Sequence, residues 1–410
     1  MTTALVIGGG IAGSVTAIAL RRVGIEPMVY EAYDHDADGV GAFLTLAVNG
    51  LRALGALDLT ELVRTTGFDT PRMRLLSGTG RVLAEFPNGP TLPDGTMSQT
   101  LKRADLYAAL RDEAVRRGIP VHYGRRLVAA EITPDRGVLA RFDDGSVAGG
   151  DLLIGADGLQ SRTRRIVDPG APAARYIGLL NTGGYARGVT VPGEPGVMQM
   201  IFGRRCFFGY VPHPNGEVWW FANPPRAAEP SREELAAIPP ARWRGHLLDL
   251  FRRDSSPAVE LIEATAEIAD GWGTYDLPSV PTWRNDRMVI VGDAAHATSP
   301  ASGQGASMAI EDAVVLAKCL RDVPDIAEAF AAYERLRRDR VERVVAQGKR
   351  NGTAKAAGPV GRVVRDLVLP VVAKRLAAKN PMGWIFDHDV DWSTPVSSAA
   401  GPVRPVHSRG

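Results

Sequence analysis

The sequence predicts an α/β fold, α+β overall, in which a parallel-sheet domain is interrupted by an antiparallel sheet and followed by C-terminal helices. Two glycine-rich loops, at residues 8–13 and 303–305, each come after a short apolar run and before a helical pattern. Such strand–loop–helix units build parallel sheets. Between the loops, residues 172–270 lose this pattern and show alternating apolar segments, which are typical of antiparallel strands.

The composition narrows the class of protein. Hydrophobic residues make up 45 % and charged residues 23 % of the 410 positions, as in ordinary globular enzymes. The net charge of +2 argues against a nucleic-acid or anionic membrane partner. Cys206 and Cys319 give neither a disulfide framework nor metal-ligand spacing. No run reaches the roughly 18 apolar residues of a membrane span, and residues 363–372 resemble an amphipathic packing helix. We therefore expect a cytoplasmic protein with no metal and no membrane contact.

The first glycine loop is Gly8-x-Gly10-x-x-Gly13, which opens a predicted helix directly after a buried strand. The first glycine allows a tight turn, the second lets the backbone approach a pyrophosphate, and the third lets the helix pack on the strand. Free amide groups and the helix dipole favour phosphate at this end. Glu31, at the end of the next strand, would accept hydrogen bonds from a ribose. These features predict a Rossmann-type dinucleotide site, with FAD and NAD both open.

A second motif follows a predicted strand at residues 151–154. It contains Asp157-Gly158, and Ser161 could cap the basic segment that comes next. By itself, the motif is explained equally well by a plain strand-to-helix turn.

The third motif spans residues 287–312, where an apolar run ends in Gly292-Asp293 and continues into a glycine loop and a helix. Ligands collect at the carboxyl ends of strands in open α/β sheets. Bare amide groups at the start of the helix would meet an anion. His296 lies in this loop, and we expect it to bond to the backbone rather than to act as a base. Two nucleotide loops on one chain suggest one long ligand held at both ends.

The three motifs, in this order and spacing, resemble those of the group A FAD-dependent monooxygenases, the para-hydroxybenzoate hydroxylase-like flavoproteins. Asp157-Gly158 and Gly292-Asp293 look like the Asp-Gly and Gly-Asp motifs of that family. Arg103 with Leu106 resembles its arginine-leucine flavin contact. The resemblance covers about residues 1–345. It implies a tightly held FAD, with NADH or NADPH as a transient co-substrate. It also implies hydroxylation of an aromatic or enol-like small molecule by O2 through a C4a-hydroperoxyflavin, with antibiotic biosynthesis as one setting.

The resemblance further implies which residues contact the cofactor. Asp293 would hold the ribityl side of FAD, and residues 303–305 would meet the isoalloxazine ring. The expected cofactor-binding residues are Gly8, Gly10, Ile11, Ala12, Gly13, Glu31, Ala32, Arg103, Leu127, Asp157, Gly158, Gly292, Asp293, Pro300, Gly303, Gln304, Gly305 and Ala306.

The same patterns predict a discontinuous FAD-binding domain with an inserted antiparallel-sheet substrate domain. The FAD-binding domain is expected at 1–71, 97–171 and 271–345, and the substrate domain at 72–96 and 172–270. C-terminal helices should occupy 346–395, and a loose tail 396–410. In the substrate domain we expect a helix at 231–251 and strands at 72–76, 81–86, 184–191, 197–202, 206–211 and 217–221.

The candidate catalytic residues are Arg205, Tyr210 and Trp219, which lie in the arginine- and aromatic-rich segments of the antiparallel sheet. We expect them to face the flavin and the substrate. Alternation along a strand puts Arg205 and Phe207 on one face, and Phe208 and Tyr210 on the other. The competing interpretation is an ordinary sheet core with a solvated arginine.

Two other functions stay open at this point. One is a FAD-dependent reductase or dehydrogenase of an alkene or isoprenoid, and the other is a non-catalytic flavoprotein-like binding module. The expected partners are O2 and a small, aromatic or polycyclic substrate. We expect a monomer or a homodimer.

Overall fold

The structure is a computed structural model that describes residues 1–34, 43–355, 358–377 and 382–396. The tail predicted at 396–410 lies almost wholly outside the described residues. The strands are β1 (Thr3–Ile7), β2 (Glu26–Tyr30), β3 (Phe43–Leu46), β4 (Phe68–Asp69), β5 (Arg72–Ser77), β6 (Val82–Pro87), β7 (Gln99–Lys102), β8 (Val121–His122), β9 (Leu127–Ile132), β10 (Val138–Phe142), β11 (Val147–Gly150), β12 (Leu152–Gly155), β13 (Arg175–Ala186), β14 (Val197–Phe202), β15 (Phe207–Pro212), β16 (Val218–Asn223), β17 (Trp272–Asp276) and β18 (Met288–Ile290). The helices are α1 (Ile11–Arg22), α2 (Val48–Gly55), α3 (Thr60–Thr66), α4 (Arg103–Arg116), α5 (Arg162–Val167), α6 (Arg232–Ala236), α7 (Pro240–Phe251), α8 (Ala258–Glu263), α9 (Asp293–His296), α10 (Gly305–Asp322), α11 (Ile326–Lys355), α12 (Pro359–Ala377) and α13 (Gly383–Phe386), with a 3-10 turn at Pro300–Ser302.

A five-stranded sheet with strand order β18-β12-β1-β2-β8 carries the first glycine loop. All its pairings are parallel, which confirms the predicted parallel sheet. Strand β1 is apolar and buried from Ala4 to Ile7 because both of its faces are covered there. Ala4 and Val6 share a core with helices α1 and α10, whereas Leu5 and Ile7 pack against the small antiparallel sheet β11-β10-β9.

A second, seven-stranded sheet has the order β17-β13-β16-β15-β14-β5-β6. The predicted hairpin at 72–86 is confirmed, as strands β5 and β6 pair antiparallel. The expectation of a wholly antiparallel sheet is wrong at one position, because β14 and β5 pair in parallel. Strand β13 ends at Ala186 instead of extending to 191, and prolines at 239 and 240 divide the helix predicted at 231–251 into α6 and α7.

The large sheet has two different faces because side chains alternate along each strand. On its back face, Phe208, Tyr210 and Trp220 share an apolar core with helices α7 and α8. On its front face, Met200, Phe207 and Phe221 line a cavity that faces the parallel sheet.

The C-terminal helices close this cavity. Helix α11 packs against the 3-10 turn, and α12 packs against β6. Arg365 and Leu369 of α12 line the cavity. Residues 363–372 form a packing helix, as the sequence suggested, but the opposite side of α12 exposes an apolar stripe instead of a polar face. The stripe consists of Val363, Val364, Leu367, Val368 and Val371.

In the part of the chain that the structure describes, no helix is long and apolar enough to cross a membrane. Within the same residues, no cluster of three or more His, Cys, Asp or Glu side chains could hold a metal ion.

Candidate active site

One continuous cavity of about 2440 Å³ runs from the first glycine loop to the front face of the large sheet. Of the eighteen expected cofactor-binding residues, sixteen line it; Gly13 and Gly292 do not. Those two glycines lie behind the surface. A Cβ on Gly13 would fall 1.8 Å from the carbonyl oxygen of Gly8, and one on Gly292 would fall 3.1 Å from the Cβ of Ala12. Both glycines therefore permit the close packing that shapes the cavity.

The first glycine loop and Glu31 form one end of the cavity. Gly9 N–H donates to Glu31 Oε2 at 2.7 Å, and Tyr33 N–H donates to Oε1 at 3.0 Å. Gly8 has a φ of +102° and a Cβ there would lie 2.5 Å from the carbonyl oxygen of Ala156, so only glycine fits. Helix α1 begins without a side-chain cap, which leaves its first amide groups available to an anion.

The Asp157 carboxylate is hydrogen-bonded to residues that follow it closely in the chain. It accepts hydrogen bonds from the Ser161 hydroxyl at 2.5 Å and from Thr163 N–H at 2.9 Å. The Ser161 hydroxyl in turn accepts from Arg164 N–H at 2.9 Å, which confirms the predicted cap of α5. Asp157 thus fixes the turn at Gly158, whose φ is +70°. A strand-to-helix turn, with no ligand, is enough to explain these hydrogen bonds.

Arg103 and Asp293 meet from two separate elements. Arg103 begins α4, and its guanidinium donates to the Tyr107 hydroxyl at 2.8 Å. Burial lowers the pKa of Arg103, but Tyr107 and the nearby Asp293 carboxylate outweigh it and leave the pKa above its ordinary value. Asp293 is exposed at the end of β18, where it lines the cavity. A cation and a carboxylate therefore line the same cavity and interact electrostatically.

A buried ionic cluster supports the loop at 299–306. Arg337 of α11 donates to Glu311 Oε2 at 2.6 Å and to Asp312 Oδ1 at 2.7 Å, and all three side chains are buried. Asn49 Nδ2 connects Glu311 to the Gln304 side chain, with distances of 2.7 and 2.9 Å. The arginines hold the pKa of Glu311 well below its ordinary value although burial alone would raise it. The cluster anchors the first turns of α10 beneath the glycine loop.

His296 belongs to this cluster. Its Nε2 bonds to Asp312 Oδ2, whose second bond comes from Gly292 N–H at 2.8 Å. The expected partner was the backbone, and the structure corrects this to a carboxylate. Sequence order gave no sign of it, because Asp312 lies 16 residues further along, on α10.

These residues fit FAD. Two helix starts, at Gly10 and Gln304, lack side-chain caps and present free amide groups to the same cavity. A dinucleotide with a pyrophosphate and an electron-accepting ring offers negative groups to both. The glycines around the first loop leave space that a Cβ would fill. FAD would be held by the residues named for it in the sequence, from Glu31 at one end to Ala306 at the other.

The structure does not bring the three candidate catalytic residues into the cavity. Arg205 precedes β15 and forms a surface ion pair with Asp249 at 2.6 Å. Tyr210 faces the back of the sheet, where its hydroxyl donates to the carbonyl oxygen of Pro192 at 2.8 Å. These placements correct the prediction, because Phe207 and not Tyr210 has the front-face register.

Trp219 is on the front face but behind the cavity wall. Its ring packs edge-on against Phe68, and its indole N–H donates to Glu217 at 3.1 Å. It contacts Phe43, which does line the cavity. Trp219 therefore supports the wall without reaching the space inside.

The sequence interpretation missed the cations that do enter the cavity beside the large sheet. Lys355 ends α11, and Arg365 lies on α12 with its guanidinium 4.3 Å from the centroid of the Phe202 ring. Both come from helices that are remote in sequence from the strands they face. No local motif marks them, so only the tertiary structure could find them.

Comparison with known proteins identifies the family. Residues 1–348 match the FAD binding domain family. The chain belongs to this family. Among relatives of the flavoprotein, the FAD-dependent urate hydroxylase of Klebsiella pneumoniae is 31% identical over 352 residues, or 85% of this chain and 88% of that protein. The 3-amino-4-hydroxybenzoate 2-monooxygenase of Streptomyces cremeus is 32% identical over 356 residues, or 84% and 85% of the two chains.

A solved structure of similar shape agrees. Klebsiella pneumoniae HpxO complexed with FAD and uric acid superposes with a TM-score of 0.82 at 28% identity, covering 92% of the flavoprotein and 95% of HpxO. The flavoprotein is therefore an enzyme, a FAD-dependent monooxygenase of the aromatic hydroxylase type.

Proposed function

We propose that this monooxygenase uses NADH or NADPH and O2 to hydroxylate a small aromatic or enol-like molecule, held between the front face of the large sheet and the loop at 299–306. Bound FAD supplies the electron transfer and oxygen activation. The relatives act on urate and on aminohydroxybenzoate, and both compounds are planar and polar. A substrate from secondary metabolism fits this range.

One observation carries the proposal: the cofactor loops and an aromatic, methionine-rich wall belong to a single cavity. Met198, Met200 and Phe207 face the segment Pro300–Ala306 across it. Flat apolar side chains stack on aromatic rings, and methionine adapts to their edges. The wall therefore suits a planar substrate that lies against the cofactor.

The protein residues have two further tasks. The amide groups at the start of α10 present a fixed positive potential to the cavity, which favours negative charge there without reorganisation. The front-face side chains and the inner side of α12 keep water away from the reacting centre. Neither task requires an acid or base among the cofactor loops.

The test is substrate-dependent consumption of NADH or NADPH by the purified yellow holoenzyme. Oxygen uptake and product mass are measured across a panel of phenols, polycyclic ketones and purines. We expect coupled oxygen uptake and a product heavier by one oxygen atom with at least one phenol or purine. The proposal is abandoned if turnover continues without oxygen, because that result indicates the reductase alternative. It is also abandoned if the protein binds no flavin, which excludes both the monooxygenase and the reductase.

A pair of variants tests the placement of the substrate. Met200→Gln keeps the size of a front-face side chain but adds a polar amide, so product formed per NADH or NADPH should fall several-fold. Arg252→Ala alters an exposed arginine that pairs with Asp249 beyond the back face, and coupling should match the wild type. Equal coupling in both variants would place the substrate elsewhere.

We also propose the domain division given by the sequence. Strand β5 pairs with β14 of the large sheet and β6 pairs with β5, which supports assigning 72–96 to the substrate domain. A monomer or homodimer is proposed, to be distinguished by light scattering.

A further inference from the structure

The side chain of Lys355 enters the cavity where helix α11 meets the cofactor loop. Lys355 is the last residue of α11 and lines the cavity beside Ser299 and Pro300. One turn earlier, Asn351 Nδ2 donates to the carbonyl oxygen of Ala301 at 3.1 Å. The helix therefore holds the lysine between the loop at 299–306 and the large sheet.

The surroundings of the amine are aromatic and nearly uncharged. Nζ of Lys355 lies 4.0 Å from the centroid of the Phe207 ring and 5.6 Å from that of Phe221. To the residues that the structure describes, it donates one hydrogen bond, to Asn223 Oδ1 at 2.9 Å. Among the described residues, no carboxylate forms an ion pair with it. An ammonium group has three donors, so two are left for a ligand. Ring faces attract a cation but give it no directional acceptor.

The protonation state of the Lys355 amine depends on its buried surroundings. Loss of solvent lowers the pKa of Lys355 from 10.5 to about 7. The titratable groups that face it do little to restore the charge. Burial raises the pKa of the neighbouring Cys206 thiol, which stays neutral. Arg365, on the facing helix, is paired with Asp366 at 2.7 Å. The amine and ammonium forms of Lys355 are therefore both accessible near neutral pH.

We propose that Lys355 binds the ionisable oxygen of the substrate and accepts the proton of its hydroxyl group. This inference rests on the proposed function. The ring hydroxyl gives its proton to the Lys355 amine: the O–H bond breaks, an N–H bond forms, and the ring oxyanion remains beside the ammonium. Phe207 and Phe221 provide apolar faces for the ring. A ring oxyanion pushes electron density into the carbon framework, as hydroxylation requires.

The test measures binding rather than turnover. The probes are 3-nitrophenol, which is mostly protonated in free solution at pH 7.5, and its methyl ether, 3-nitroanisole, titrated into the FAD-loaded protein at that pH and followed by difference spectra. Wild type should bind the phenol at least tenfold more tightly than the ether, and bound nitrophenol should show phenolate absorbance. Lys355→Met should reduce the preference to within twofold, and Lys355→Arg should restore the preference without taking up the proton. Lys349→Met, on an exposed part of the same helix, should behave as wild type.

The outcomes separate the two proposals. An equal affinity of the wild type for both probes, no binding of either, or an unchanged preference in Lys355→Met overturns the role of Lys355. If NADH or NADPH also fails to reduce the bound flavin of the wild type, the proposed function falls as well. If the flavin is reduced normally and Lys355→Met keeps the preference for the phenol over the ether, only the proposed role of Lys355 is rejected.

A measurement on the unmodified chain covers the case in which Lys355→Met does not fold. A short pulse of acetic anhydride at pH 7.5, read by mass spectrometry, should label Lys355 at least tenfold faster than Lys349, because more of its amine is unprotonated. Prior addition of 3-nitrophenol should protect Lys355 and leave Lys349 unchanged. Equal labelling, or labelling that the phenol does not slow, contradicts the proposal.

Discussion

At the scale of single residues, strand register decides which side chains of the large sheet reach the cavity. Phe207 faces the cavity, and Phe208, one position later, is buried in the back-face core. Alternation predicted that separation correctly. Alternation could not place Arg205, because this residue precedes β15. The direction of its side chain is set instead by an ion pair with Asp249 at the surface. Lys355, a cation that does line the cavity beside the large sheet, comes instead from the end of a distant helix.

The depressed pKa of Lys355 makes a prediction about stability. The folded pKa of about 7 lies below the unfolded value of 10.5, so unfolding takes up a proton between these pH values. Stability should thus fall as pH decreases through this window, with a slope of at most ~1.4 kcal/mol per pH unit from this group. Lys355→Met abolishes that slope. Urea unfolding in saturating FAD at pH 7.5 and 9.5 should show the variant gaining about 2 kcal/mol relative to wild type at the lower pH. Parallel behaviour of the two proteins would contradict the burial of this amine, and Lys349→Met serves as the control.

At the scale of elements, helix α11 does most to join the parts of the molecule. Its middle supplies Arg337 to the carboxylates of α10, and its end supplies Lys355 to the substrate side of the cavity. The helix is 30 residues long, and the sequence predicted helical structure only for its part from residue 346 onward, not which face would be buried. The Arg337 side chain is buried together with its two carboxylate partners, and it marks the position where α10 must be held.

Loss of the buried arginine should be costly. Arg337→Met leaves Asp312 and Glu311 short of their shared cation inside the core, and breaking a buried ion pair from one side typically costs about 3–5 kcal/mol. Denaturant unfolding of the holoenzyme should show a loss of this size. Arg335→Met changes an exposed arginine of the same helix and should stay within about 0.5 kcal/mol of wild type. A loss below about 1 kcal/mol in Arg337→Met would mean that the network does not anchor α10.

At the scale of the whole molecule, the cavity lies between the five-stranded parallel sheet and the seven-stranded sheet. The parallel sheet presents the glycine loop and Asp293, and the large sheet presents Met200 and Phe207 from the other side. A ligand that spans this cavity bridges both halves. Bound FAD would connect the first glycine loop with the loop at 299–306, and a substrate held against it would contact the large sheet.

Removal of FAD should lower stability in proportion to its binding. At a free FAD concentration about 100 times its Kd, ligand linkage adds about 2.7 kcal/mol to the free energy of unfolding. Thermal unfolding across a titration of FAD should shift upward accordingly in the wild type. In Gly13→Ala the new Cβ collides with the carbonyl oxygen of Gly8, so the loop must distort and the FAD-dependent shift should vanish. A normal shift in Gly13→Ala would show that the loop does not hold the cofactor.

The sequence by itself determined the parallel sheet, the positions of the glycine loops and the family, because these follow from local turn chemistry and from apolar runs that are read in order. Gly8, Gly10 and Asp293 stand at fixed offsets from their strands, and no distant residue is needed to recognise them. The order of residues along the chain is therefore enough to outline the half of the molecule that carries the cofactor loops.

Only the tertiary structure decided what faces the substrate. His296 binds Asp312 rather than the backbone, Tyr210 faces away from the cavity, and the parallel pairing of β14 with β5 joins strands more than 100 residues apart. Lys355 reaches Phe207 across about 150 positions of sequence. Such contacts depend on how helices and sheets pack, and packing carries no local sequence signal because many apolar residues can satisfy the same interface.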